Sequence, residues 1–137
     1  MHISQDKYKN REVKRLTVHY RVRDGVTVVT LLDPTVVGPQ NRKRLEAAIS
    51  NRLAQGSPVV LDASRIDFFE PEGIDMLLSL DRLATQRRAS FSMCGLNGTI
   101  VQVFRISGLD CLFRIFPDTD AAVEALAGRD AGPWYWH

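Results

Sequence analysis

The chain has 137 residues, of which 45% are apolar and 25% charged, with a formal net charge of +2. That is enough chain for one domain with a real core, and too little charge to argue nucleic-acid binding by itself. No apolar run approaches the roughly 20 residues that a membrane span needs, and the opening MHISQDKYKNREVKR lacks the apolar centre of a signal peptide, so a cytoplasmic protein is expected.

Residues 1–14 are polar and basic, with Lys7, Lys9, Arg11 and Lys14, and read as a flexible tail. Leu16, Val18, Tyr20 and Val22 then alternate with Thr17, His19 and Arg21, the pattern of a strand with one buried face. Asp24-Gly25 suits a two-residue hairpin, and residues 26–32 are apolar on both sides, as a more central strand would be. His19 falls on the solvent side of its strand with no second ligand type near it, which argues against a metal role. Asp33-Pro34 and Gly38-Pro39 punctuate a loop.

Residues 40–55 predict a helix: Leu45, Ala48, Ile49 and Leu53 share one face, and Arg42, Lys43, Arg44 and Arg52 lie largely off it, as a solvated face does. Gly56 stands where a helix of this length ends.

The stretch 58–80 organises the rest. Val59-Val60-Leu61 closes on Asp62 as a buried strand, a short loop follows, and Glu70-Pro71-Glu72-Gly73 opens a helix in which Ile74, Leu77, Leu78 and Ala84 recur near helical spacing. Proline loses nothing in a first helical turn, where its missing N–H would have had no partner, and Glu72 lies where the helix dipole favours negative charge. Residues 89–94 form a strand with Phe91 and Met93 on one side, and Gly95-Leu96-Asn97-Gly98 turns the chain. A short apolar helix over 99–107 carries Ile100, Val101, Val103, Phe104 and Ile106, and Gly108 stops it. Residues 112–116 make a last strand, 120–127 a last helix ended by Gly128, and 129–137 a tail closing on Trp134-Tyr135-Trp136 that has its own domain or a partner to dock on.

Cys94 and Cys111 fit neither a redox pair nor a zinc pattern and read as two free, mostly buried thiols. No nucleotide-binding glycine motif, Walker lysine or nucleophile elbow is present. The order ββαβαβαβα predicts an α/β fold, a mostly parallel central sheet of about five strands with four helices against it.

These elements, above all Val59-Val60-Leu61-Asp62 and Ile66-Asp67-Phe68-Phe69-Glu70-Pro71-Glu72-Gly73-Ile74 with Leu77, resemble the STAS domain, the fold of the bacterial anti-sigma factor antagonists. Cys94-Gly95-Leu96, the segment from Val101 to Leu109, and Phe113-Arg114-Ile115-Phe116 with Ala121, Ala122 and Leu126 are similar to later parts of the same family, so that the likeness covers residues 15–128. The resemblance implies a protein-binding domain whose partner is an anti-sigma factor that is also a serine kinase. It also implies a phosphate acceptor: the family reads Asp-Ser-Ser/Thr-Gly before this helix. Here Glu70 matches the aspartate, Pro71 the acceptor, Glu72 the next hydroxyl residue and Gly73 the glycine. Proline has no hydroxyl, and Ser64 and Ser79 are displaced from the acceptor position.

Three readings of this departure stand side by side: a module fixed in its partner-competent state, a charge mimic of the phosphorylated form through Glu72, and a STAS module outside sigma control, such as an accessory subunit of a lipid-transport ABC system or a signalling assembly. A metal-dependent enzyme using Asp62, Asp67, Glu70, Glu72 and Asp75 is the remote alternative, since clustered carboxylates can hold a divalent cation. The expectation is a non-catalytic interaction module without cofactor or metal. Its partner face would be built from Asp67, Phe69, Glu70, Pro71, Glu72, Gly73 and Asp75, with the helix around Thr99 extending it. Self-association into a homodimer stays open.

Overall fold

The computed structural model describes residues 18–32, 39–67 and 69–127. The N-terminal tail, Leu16, Thr17, the Asp33-Pro34 loop with Gly38, Phe68, Gly128 and the aromatic tail lie outside the described residues.

Five strands form one sheet in sequence order: β1 (Val18–Arg23), β2 (Val26–Leu31), β3 (Val59–Asp62), β4 (Phe91–Cys94) and β5 (Arg114–Phe116). β1 and β2 are antiparallel, and the remaining neighbours are parallel. Asp24 and Gly25 both take positive φ, 52° and 81°, which is what a tight hairpin whose twist matches its strands demands. The parallel strands are linked by α1 (Pro39–Ala54), α2 (Pro71–Gln86) and α3 (Gly98–Ser107), and α4 (Thr119–Leu126) closes the described chain. The architecture is the mixed, mostly parallel α/β sheet expected from the alternation of elements.

The two faces of the sheet are filled differently. Val29, Leu31, Val59, Leu61, Phe91 and Met93 meet Leu45, Ile49 and Leu53 of α1, Met76, Leu77 and Leu80 of α2, and Ile100 and Phe104 of α3. The opposite face, Val26, Val28, Val60, Cys94 and Phe116, is covered by Ala122, Val123 and Ala125 of α4. β2 and β3 are apolar on both faces because helices lie on both sides of them. Each large aliphatic or aromatic side chain buried this way contributes about 1.5–3 kcal/mol.

Four expectations need correction. The apolar face of β1 is buried only at its start: Val18 packs against the core, but Tyr20 and Val22 are exposed, because β1 is the edge strand and, among the described elements, β2 is the one that packs extensively against it. Residues 112 and 113 precede the last strand rather than opening it, since Gly108 turns left-handed at φ 76° and the chain winds through a 3-10 turn, Leu109–Cys111. That turn leaves Cys111 exposed, so only Cys94 is a buried thiol. In α2 the fully buried stripe is Met76, Leu77, Leu80 and Ala84, while Ile74 and Leu78 are only partly covered.

Candidate functional site

β3 ends at Asp62, whose carboxylate orders the loop that follows. One of its oxygens accepts from the Ser64 N–H at 3.0 Å and the other from the Thr30 hydroxyl at 3.4 Å. The Ala63 N–H donates to the Cys94 carbonyl at 2.9 Å, continuing the ladder past the strands, and Ile66 is buried. Across from this loop lies the β4–α3 turn. Gly95 has φ 74°, and a Cβ built there would sit 2.9 Å from the Ser64 Cβ, so the turn and the loop touch with no room for a side chain.

Asn97 fastens the two together. Its side-chain oxygen caps α3 by accepting from the Ile100 N–H at 2.8 Å. Its amide donates to the carbonyls of Ile66 and Asp67, both at 3.1 Å. The start of α3 is thereby fixed beside the loop that leads into α2.

α2 begins at Pro71, with Glu70 as its N-terminal flanking residue, and the Glu70 side chain makes no capping hydrogen bond. Its carboxylate instead faces Arg42 of α1 at 3.8 Å, with both side chains partly buried. Arg42 is therefore not part of a freely solvated basic face: it reaches over to the start of α2. The carboxylates of the enzyme alternative are not gathered. Asp62 is held by Thr30 and Ser64, Glu70 faces Arg42, and among the described residues no group of three or more His, Cys, Asp or Glu could hold a metal ion.

Between α2 and α3 runs an apolar groove of about 490 Å³, lined by residues that include Phe69, Ile74, Ile100, Val103, Phe104 and Leu109. Its floor is tied to the sheet through a chain of rings, Phe69 to Phe104 at 6.3 Å, Phe104 to Phe113 at 6.0 Å and Phe113 to Phe91 at 6.5 Å. Such ring pairs add about 0.5–1.5 kcal/mol each beyond burial.

Of the residues singled out from the sequence, Phe69, Pro71, Asp75 and Thr99 line this groove. Asp67 is exposed and is not among the groove's lining residues; its backbone carbonyl accepts from the Asn97 amide. Glu72 is exposed and turns toward the shallower cleft between α1 and α2, with Arg42 and Lys43. Gly73 is buried, and a Cβ built on it would lie 3.5 Å from Phe69, an ordinary contact beneath the site.

Sequence reasoning expected the helix around Thr99 to extend the face but did not single out Val103, Ile106 or Asn97 for it. Val103 is 49% and Ile106 85% exposed, an arrangement that leaves apolar surface uncovered on α3. The signal was present: a ten-residue helix with five large apolar side chains carries more than one buried stripe needs. Asn97 was legible as a helix cap, because Asn immediately before a helix is a favoured type.

The family model described as "Mlab, STAS domain" matches residues 22–114. BtrV of Bordetella bronchiseptica, assigned as an anti-sigma factor antagonist, is 29% identical over 103 residues, which are 74% of this chain and 87% of that protein. Among solved structures, an anti-sigma factor antagonist from Mycobacterium paratuberculosis superposes with a TM-score of 0.68 at 23% identity, over 81% of this chain and 93% of the other. SpoIIAA, a Bacillus cell fate determinant solved in its phosphorylated form, superposes with a TM-score of 0.61 at 18% identity, over 79% and 97% of the two chains.

Proposed function

This chain belongs to the STAS domain family, and on that premise we propose that it is a non-catalytic protein-interaction module of the anti-sigma factor antagonist type that lacks the phosphorylation switch. The observation that carries the reading is Pro71. It is exposed at the first helical position of α2, beside the groove, where the family resemblance puts the phosphate acceptor. A residue without a hydroxyl cannot accept phosphate, so the roughly −1.5 to −2 charge that would disrupt a partner-facing helix start is never added. Glu72 provides a fixed single charge one residue later, on the α1 side of the helix start, and Asp75 brings a carboxylate to both that cleft and the groove.

The partner is a protein, in this reading an anti-sigma factor, as the name of the relative BtrV suggests, and its serine kinase character is what the family resemblance implies. It meets Asp67, Phe69, Pro71, Glu72, Asp75, Thr99 and Val103, with apolar side chains entering the groove and basic ones meeting the carboxylates. Glu70 and Gly73 act from behind this face. The interaction domain occupies residues 15–128 and works in the cytoplasm, where sigma factors act. In this reading it works without cofactor. No helix among the described residues is long and apolar enough to cross a membrane.

The test is affinity purification of the full chain from its source cells, followed by binding measurements with the recovered protein and a Val103→Ser variant. Recovery of a kinase-type anti-sigma factor whose affinity falls at least tenfold with Val103→Ser supports the reading. Recovery of a transport ATPase in its place moves the protein to the lipid-transport alternative.

A further inference from the structure

We propose that two copies of this chain pair antiparallel through the outer edges of β1, Tyr20 opposite Tyr20 of the second copy, so that one sheet runs through both and their two grooves open on the same side.

β1 is six residues long and, among the described residues, pairs with β2 on one side only. Its register with β2 runs unbroken from Val18 to Arg23, so no bulge turns the edge away, and the strand contains no proline. Val18, Tyr20 and Val22 stand opposite Leu31, Val29 and Thr27, on the face that carries the main core and α1, α2 and α3. Val18 packs on that core, whereas Tyr20 is 47% and Val22 59% exposed. No charged residue of the strand protects this face, since His19, Arg21 and Arg23 belong to the other.

The occupant follows from the pattern of the strand. A two-residue hairpin hydrogen-bonds the pair that flanks it, here Arg23 and Val26, and bonding then alternates along an antiparallel ladder. Arg23, Arg21 and His19 therefore direct their backbone N–H and C=O to β2, and those of Val18, Tyr20 and Val22 point outward. The open edge and the apolar strip belong to the same residues. A two-fold axis at Tyr20 sets Tyr20 against Tyr20, and Val18 against Val22, of the two copies. Each of these pairs exchanges both of its hydrogen bonds and joins apolar side chains on one face, the contact that stabilises neighbouring strands. Charge selects this register. An axis shifted to Arg21 would set like charges face to face, whereas an axis at Tyr20 brings Arg21 to His19, whose ring nitrogen accepts a hydrogen bond. Arg23 is already paired with Asp120 of α4 at 2.8 Å and adds no repulsion at the seam. The strand is thus its own complement.

A seam of six residues is about 20 Å long and buries less than the ~800 Å² per partner of a standard stable interface, so the dimer forms and dissociates with concentration. An axis that makes like strands antiparallel neighbours stands perpendicular to the sheet, and it keeps α1, α2 and α3 of both copies on one side. Resting on the reading that the groove between α2 and α3 receives the partner, the dimer presents two such grooves to one surface, and linked sites raise avidity without a new contact.

Sedimentation velocity of the full chain alone tests the pairing. It contains no partner, so its failure leaves the groove standing as the partner site, and a failure of partner binding leaves the dimer measurable. The chain is expected to pass from monomer to dimer between micromolar and millimolar concentration. The double variant Tyr20→Lys, Val22→Lys should stay monomeric throughout, with circular dichroism unchanged. Should that variant fail to fold, hydrogen exchange on the unaltered chain decides: with rising concentration the amides of Val18, Tyr20 and Val22 must gain protection, while those of His19, Arg21 and Arg23 stay as they were. The register is read by mild oxidation in a Cys111→Ser background. Tyr20→Cys chains, with Cα atoms about 5.5 Å apart across the seam, should form a disulfide, and Val22→Cys chains, about 14 Å apart along it, should not. A monomer at millimolar concentration, a dimer that survives the lysines, outward amides protected equally at every concentration, or cross-linking at position 22 rather than 20 would each overturn the proposal.

Discussion

The side-chain amide of Asn97 donates to the backbone carbonyl of Asp67 at 3.1 Å, joining positions thirty residues apart at the point where two helices start. Because the same side chain caps α3 through the Ile100 N–H, one residue sets both the direction of α3 and its distance from the loop before α2. The groove exists because these two starts are held side by side.

Removing that clamp should cost both the cap and the loop bonds. Asn97→Ala is expected to destabilise the fold by roughly 2–3 kcal/mol, about 1 from the cap and the rest from carbonyls left without donors. Asn97→Asp retains the cap acceptor but cannot donate, and should fall between Ala and the unaltered chain. Urea denaturation of the three proteins checks the order, and equal stability of Asn97→Ala and the unaltered chain would contradict it.

The two glycines of the site should respond oppositely to alanine. At Gly95 a Cβ meets Ser64 at 2.9 Å in a left-handed conformation, and a loss of about 2–4 kcal/mol is expected from strain and overpacking together. At Gly73 the nearest atom is an ordinary 3.5 Å away inside a helix, so Gly73→Ala should fold normally and gain up to about 1 kcal/mol. Thermal melts of both variants give the comparison.

Much of the fold was legible because local and global signals agreed: Asp24-Gly25 as the hairpin, the double-sided apolar run of β2, Pro71 opening α2 and Gly108 closing α3 all stand where residue chemistry placed them. The errors arose where burial is decided by a distant element. Tyr20 and Val22 alternate as a half-buried strand should, but alternation cannot tell whether a helix covers that part of the sheet. Ile74 carries the helical period of the core yet is only partly covered, because it lies where the groove separates α2 from α3. Arg42 looked like one member of a charged run, and only the packing of α1 against α2 brings it to Glu70.

The exposed wall of α3 should be silent in stability and loud in binding. Val103→Ser and Ile106→Ser are each expected within about 0.5 kcal/mol of the unaltered chain, as surface substitutions are. Together they should weaken the partner complex by about 1–2 kcal/mol or more, the range of an interface hot spot. Isothermal titration beside a urea melt separates the two effects, and a double variant that binds unchanged would remove α3 from the partner face.

The thiols should differ sharply. Burial pushes Cys94 up to about 11, only partly offset by its contact with the Thr119 hydroxyl, whereas Cys111 is exposed. One thiol per native chain should react with a thiol reagent near pH 8, and two after denaturation, since the thiolate is the nucleophile. The raised value also sets a sign for stability. Between the ordinary value of 9.0 and about 11 the unfolded chain has released this proton and the folded chain has not, so the contribution present below pH 9 is lost as pH rises through that window. A labelling count of two in the native protein would contradict the buried position.

The most direct test of the central claim is intact-mass analysis of the chain and its Pro71→Ser variant after incubation with the partner kinase and ATP, with binding read on the same samples. The account predicts that the unaltered chain gains no phosphate and stays bound, while Pro71→Ser gains one phosphate at position 71 and its complex weakens. Stoichiometric phosphate on Ser64 or Ser79 of the unaltered chain, with loss of the complex, would show that the module is switched after all and would contradict the account.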